Sequence, residues 1–311
     1  MATVVFFGNE RLATGVDTSV PTLKAIIEAG HDVKAVVSNY ERGTSRNARK
    51  LEIQELAEAH SIPVLLPHKP SEIAEQLVTY KAEVAVLVAY GKIVPQSVID
   101  IFPKGIINIH PSLLPLHRGP TPLESVILNG ETVTGVSVMS LAKEMDAGPV
   151  YKQSTITLSG EETKQELADT LLALGSEMVI GLLPGIIDGS VTASPQDDSQ
   201  ATYDSLINKE AGIIDWTKPA EILNREIRAF SGWPQSRTTF AGKDIIITET
   251  HVSPSQSPGS KPGDIDIIEE IKEFGVVTGS GTLWIDELKP AGKKEMPAKA
   301  FLAGYGHLLK S

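Results

Sequence analysis

Asn108 and His110 stand two residues apart at the end of an apolar run, Gly105-Ile-Ile-Asn-Ile-His110, and Pro111 follows at once. In a strand that spacing points both side chains to one face. Proline cannot donate to the next rung of a ladder, so the strand ends there. An amide N–H can donate to an oxygen that gains charge during a reaction. An imidazole exchanges protons near neutral pH. A third group follows in Lys143-Glu-Met-Asp-Ala-Gly-Pro149, where Asp146 occupies a turn-prone loop after the next apolar run. A carboxylate at the same edge could orient His110 and relay its proton. Singly, each residue type is more often structural; the chemical signal is their combination.

Such a set needs a sheet to hold it. Val/Ile-rich runs at 3–7, 32–37, 62–65, 83–88, 105–109 and 133–139, mostly continuous and apolar, suit strands buried on both faces of a mainly parallel sheet. Helical patterns fill 51–60, 71–79 and 162–183 between them, and Pro21 and Pro95 sit where helices begin. Residues 1–188 therefore read as a doubly wound α/β domain, which binds ligands at the carboxyl ends of its strands. Residues 189–207 are polar and turn-rich and read as a linker. Beyond them a helix near 218–230 precedes short strands at 236–241, 244–251, 274–279 and 282–288, separated by Gly, Pro and Ser. That pattern predicts a small C-terminal β-barrel, OB-like, over 208–311.

Several function classes are excluded. Gly8 is followed by Asn-Glu-Arg-Leu-Ala-Thr-Gly15, which is not a dinucleotide fingerprint, and Gly130-Glu-Thr-Val-Thr-Gly135 has Val136 where a phosphate loop needs Lys. The chain has no cysteine, which removes disulfides and thiolate metal sites, and its seven His show no paired metal spacing. The opening Met-Ala-Thr-Val-Val-Phe-Phe-Gly reads as a first strand, not a signal peptide, and no run approaches the ~18 apolar residues of a membrane helix. A cytoplasmic monomer is the expectation. The formal net charge of -11 argues against nucleic acid, but it is uneven. Residues 1–206 carry 15 Lys/Arg against 25 Asp/Glu, and residues 207–311 carry 13 against 14. Arg42, Arg46, Arg49 and Lys50 form one local basic run.

The run Asn108-x-His110, then Ser112-Leu-Leu-Pro115, Arg118-Gly119 and Asp146-x-Gly148, resembles the signature of the folate-dependent formyltransferases. Ala89-Tyr-Gly-Lys-Ile-Val-Pro95 is similar to that family's folate-pocket segment. Asn208-Lys-Glu210 through Trp216, Ile227-Arg-Ala-Phe-Ser-Gly-Trp-Pro234 and Gly292-Lys-Lys-Glu-Met-Pro-Ala298 resemble the branch that acts on tRNA. The resemblance implies that 10-formyltetrahydrofolate donates the formyl group and that no metal is needed. It implies the α-amino group of initiator methionyl-tRNA as acceptor, for translation initiation. It implies Asn108, His110 and Asp146 as catalytic groups. Ser112, Leu113, Leu114 and Pro115 would line the folate site, and Tyr90 and Gly91 the pterin pocket. Arg42, Arg46, Arg49 and Lys50, with Lys293 and Lys294, would meet tRNA. The loop from Asn39 to Lys50 is slightly shorter than the family's and lacks its Pro/Gly-rich form. The residues leave open a small amine such as glycinamide ribonucleotide or an amino sugar nucleotide, hydrolysis of formylfolate, and a silent RNA-binding protein.

Overall fold

A computed structural model describes residues 1–39, 51–240, 242–256, 259–268, 272–306 and 309. The chain divides into two compact units. The first holds residues 1–123, 132–158 and 165–205, and the second 124–131, 159–164 and 206–311.

In the first unit the strands are β1 (Thr3–Gly8), β2 (Asp32–Val37), β3 (Val64–Leu65), β4 (Val84–Val88), β5 (Ile106–His110), β6 (Val133–Ser140) and β7 (Val150–Thr157). The chain's first helices are α1 (Pro21–Glu28), α2 (Glu52–Ala59), α3 (Ala74–Thr79), α4 (Gln96–Ile99), α5 (Pro122–Asn129) and α6 (Lys164–Asp188). Among the described residues the sheet order is β3-β2-β1-β4-β5-β6-β7. The pairs from β3 through β5 are parallel, and β6 and β7 add antiparallel rungs. The apolar runs were legible because β1, β4 and β5 are covered on both sides. Val5, Phe7, Leu87 and Ile106 pack with Val98 and Phe102 in one cluster. Gly175 of α6 lies against Ile109 and Val136, where a Cβ would come within 2.6 Å of Ile109.

The sequence expectations need two corrections here. Strand β7 was missed, because this edge strand reads Val-Tyr-Lys-Gln-Ser-Thr-Ile-Thr and is only half-buried. Helix α6 is long and apolar enough, by length and composition, to pass as a membrane span, which the reading of apolar runs did not anticipate. It is a core helix: Leu167, Leu171, Leu172, Val179 and Leu183 are buried within the protein.

The order reverses between β1 and β4, since the chain runs outward to β3 and returns to pair β4 with β1. That reversal opens the ligand crevice of a doubly wound sheet. Gly8 closes β1 there with φ 124°, and Glu10 donates its N–H to Val88 O at 3.3 Å. The Glu10 side chain is 1% exposed, and its two oxygens accept the Thr22 and Leu23 N–H groups at 2.8 Å each. A carboxylate thus caps the first turn of α1, where orphan donors and the helix dipole favour an anion. Burial outweighs those bonds and pushes the Glu10 carboxyl up to about 7. A group whose pKa rises on folding contributes stability that is fully present below its unfolded value and lost as pH rises through the folded one. Relative to Glu10→Gln, the wild type should therefore lose on the order of 2–3 kcal/mol between pH 5 and 8. Urea unfolding of both proteins across that range measures the difference, and a pH-independent gap would refute it.

The second unit contains α7 (Ala220–Ala229), β8 (Ser236–Phe240), β9 (Lys243–Ser253), β10 (Ile265–Ile268), β11 (Glu273–Val277), β12 (Thr282–Pro290), β13 (Met296–Pro297) and α8 (Ala298–Tyr305). The expected antiparallel β domain is present, in the order β10-β11-β12-β9-β8 with β13 beside β12. Leu223 and Ile227 of α7 and Phe301 of α8 fill its core with Ile245, Phe274 and Leu283. This unit also takes in residues 124–131 and 159–164. Lys164, 0% exposed, donates to Trp233 O at 3.0 Å and to Glu124 at 3.4 Å. Arg228 donates to Glu162 O at 2.8 Å.

Candidate active site

Strand β5 carries Asn108 and His110 at its carboxyl end, both buried. Asn108 pairs in register with Leu87 of β4 and Met139 of β6, and His110 with Ser137 of β6. The His110 Nε2 lies 2.9 Å from His117 O. A carbonyl only accepts, so this bond requires the proton on Nε2, and Nδ1 of the neutral ring keeps its lone pair. Nδ1 faces Asp146 Oδ2 at 3.8 Å. That is beyond hydrogen-bond length, but such contacts often tighten when substrate binds. Asp146 sits at φ 52° in the β6–β7 loop, and its Oδ2 accepts the Gly119 N–H at 2.8 Å. The structure therefore brings Asp146 to His110, with Asn108 two residues back on the same strand. The arrangement offers an amide donor and a ring nitrogen ready to accept a proton beside a carboxylate.

The loop after β5 is stiff. Ser137 Oγ donates to Ser112 O at 2.6 Å and accepts from the Leu114 N–H at 3.1 Å and from Gln153 Nε2 at 2.9 Å. Ser112 spends its hydroxyl on Leu116 O at 2.7 Å. Leu114 is buried, while Leu113 and Pro115 are half-buried. Leu113, Leu114 and Pro115 thus belong to a fixed wall, and Ser112 is buried behind it with its N–H on His110 O, its carbonyl on Ser137 and its hydroxyl hydrogen on Leu116 O. Tyr90 follows β4, but its ring packs edge-on against Phe7 at 5.5 Å, inside the apolar cluster. Its hydroxyl is buried without a hydrogen-bond partner, and burial pushes it up to about 12. The backbone of Tyr90, and Gly91 at φ 70°, remain at the strand end. Lys293 and Lys294 are exposed on the turn between β12 and β13 of the second unit. Arg42, Arg46, Arg49 and Lys50 lie outside the described residues.

Sequence reading gave no role to what holds the set. His117 is pinned by its N–H to Thr202 Oγ1 at 2.8 Å and by Nδ1 to Asp204 at 3.0 Å. Arg118, 1% exposed, bonds Gln196, Asp198 and Tyr203. Burial would lower the Arg118 pKa, but its bonds to Asp198 and Tyr203 raise it further. Residues 194–205, expected as a linker, pack along the first unit as a strap. The one signal in the sequence was Arg118-Gly119 inside the family signature.

The fold and the family models together place the chain among the formyl transferases. Residues 13–183 match the family described as Formyl transferase, and residues 206–306 match its C-terminal domain. The chain belongs to this family, on the side of the methionyl-tRNA formyltransferases. It is 37% identical over 305 residues to the methionyl-tRNA formyltransferase of Chloroflexus aggregans, covering 97% of this chain and 96% of the relative. It is 38% identical over 303 residues to that of Methylococcus capsulatus, covering 96% of each. Among solved structures, HypX from Aquifex aeolicus in complex with tetrahydrofolic acid matches with a TM-score of 0.67 at 19% identity. That match covers all of this chain and 48% of HypX. The N-formyltransferase from Helicobacter canadensis, in complex with folinic acid and dTDP-3-aminofucose, matches with a TM-score of 0.68 at 18% identity, covering 92% of this chain and 99% of that one. At these identities the structural likeness is one of fold.

Proposed function

We propose that the chain transfers the formyl group of 10-formyltetrahydrofolate to the α-amino group of initiator methionyl-tRNA in the cytoplasm, making the N-formylmethionyl-tRNA that starts translation. The observation that carries this reading is the Asn108-His110-Asp146 set at the carboxyl edge of the sheet. Relatives of nearly equal length named for that reaction support the choice of acceptor.

The neutral amine attacks the formyl carbon, and its carbonyl oxygen gains charge. The Asn108 side-chain amide donates to that oxygen. His110 Nδ1 takes the proton the amine sheds, and the Asp146 carboxylate stabilises the imidazolium. The same proton passes to the folate nitrogen as its bond to carbon breaks, so the site returns to its starting state. The wall formed by Ser112 to Pro115 and the backbone at Tyr90 and Gly91 would hold the folate.

A chain at -11 needs local positive charge to meet RNA. Arg42, Arg46, Arg49 and Lys50 supply it on one unit, and Lys293 and Lys294 on the other. Phosphate contacts release counterions, so affinity for charged tRNA should fall steeply with salt. The triple change Arg42→Ala, Arg46→Ala, Arg49→Ala should flatten the log–log slope by roughly 2–3 and leave formylfolate binding unchanged. Rates with charged tRNA over a salt series, beside the small amines, decide. An unaltered slope would remove the arginines from the interface. A wild type inert on charged tRNA would end this reading.

A further inference from the structure

Asp146 is held from two sides. Its Oδ2 accepts the Gly119 N–H at 2.8 Å, and its backbone oxygen accepts Gln196 Nε2 at 2.7 Å. The same Nε2 donates to Gly148 O at 2.7 Å. Gln196 Oε1 accepts from Arg118 Nη2 at 2.8 Å and Nε at 3.2 Å. Both hydrogens and both lone pairs of one amide are thus committed. The Asp146 backbone lies at φ 52°, a region an L residue keeps only where its surroundings over-determine it. One amide spanning two carbonyls of the same turn is such a constraint.

The strap fixes the amide in turn. Arg118 donates its N–H to Thr202 O at 2.9 Å, and the Asp204 N–H donates to Arg118 O at 2.8 Å. The Arg118 guanidinium is closed off by Asp198 Oδ1 at 2.6 Å and the Tyr203 hydroxyl at 2.9 Å. Residues 117–119 set both members of the pair, through His117 O to His110 and Gly119 N–H to Asp146. Gln196 ties the Asp146 turn to that same loop.

We propose that Gln196 is a positioning residue for formyl transfer: its amide clamps the Asp146–Gly148 turn so that the Asp146 carboxylate stays against His110 Nδ1. This rests on the proposed roles of His110 and Asp146. Gln196 acts through Asp146 and not on the substrate.

Two substitutions in the full chain separate this role from a merely structural one. Gln196→Met keeps the length and loses every bond. Gln196→Glu keeps the oxygens that accept from Arg118 but cannot donate to the two carbonyls. Both should lower kcat by about 10- to 100-fold, with KM for formylfolate and charged tRNA nearly unchanged. Both should also move the acid limb of the kcat–pH profile. Ser199→Ala, on the exposed side of the strap, should match wild type in both. A structural role predicts otherwise: Gln196→Glu stays active because Arg118 stays anchored, and Gln196→Met loses thermal stability while keeping kcat and its pH profile. That result overturns the proposal. If the wild type formylates another amine but not charged tRNA, the acceptor assignment falls, and the same comparison on that amine decides Gln196. A wild type that transfers formyl to no amine and not to water overturns both.

Discussion

Asn108→Ala should lower turnover by on the order of 10² to 10³ while leaving KM for both substrates close to wild type. The amide sits on β5 between Leu87 and Met139, is 6% exposed, and lies on the face it shares with His110. Its donor is useful only when the formyl oxygen carries charge, so the loss falls on the transition state. Asp146→Asn is the companion test. Its side-chain oxygen can still accept the Gly119 N–H, and the backbone bond from Gln196 is untouched. A heavy loss of kcat in that variant would report the missing charge beside His110, not a moved loop. Steady-state rates at saturating donor and acceptor measure both. Folded variants that turn over like wild type would refute the mechanism.

Gly8→Ala should destabilise the protein by more than about 4 kcal/mol. Two costs add. The φ of 124° is one that L residues rarely adopt, and the new Cβ would come 1.8 Å from Val88 O. Relief requires β1 and β4 to part at the point where the sheet order reverses. Gly30→Ala is the control: its φ is 78°, but nothing lies within 4 Å of the new Cβ. It should cost only about 1–2 kcal/mol. Urea midpoints of the two variants give the comparison, and equal losses would show that close approach of the strands is not what fixes glycine at position 8.

The elements most legible in the sequence are those whose burial is uniform. β1, β4, β5 and β6 match their apolar runs to within a residue or so at their ends, and β2 spans residues 32–37 as read although Asp32 is exposed and Lys34 half-buried. β7 was lost because Lys152 and Gln153 are exposed on an edge strand. α8 was lost for another reason: Ala298-Lys-Ala-Phe-Leu-Ala-Gly-Tyr buries little beyond Ala298 and Phe301. Asn108 and His110 could be paired from spacing alone, since a strand fixes the direction of side chains two apart. Nothing local could reveal that His117 O and the Gly119 N–H orient the pair, because backbone groups carry no sequence signature. Nor could composition show that Ser194 to Ser205 is a strap, since Asp, Ser and Gln serve a turn in solvent and a ladder of side-chain bonds equally well.

The second unit draws on three separated stretches of chain, and that has a consequence for the order of events during synthesis. Lys164 leaves the ribosome 69 residues ahead of Trp233, whose carbonyl it will hold. At about 5–20 residues per second the delay is roughly 3 to 14 s, long compared with helix or hairpin formation. Residues up to Ser205 complete the first unit before most of the second exists. The ammonium that ends fully enclosed therefore lacks its Trp233 partner for those seconds, until the Gly232-Trp233-Pro234 turn is made. The second unit cannot be completed before residues 206–311 are made, and slow codons between positions 206 and 233 would lengthen the wait.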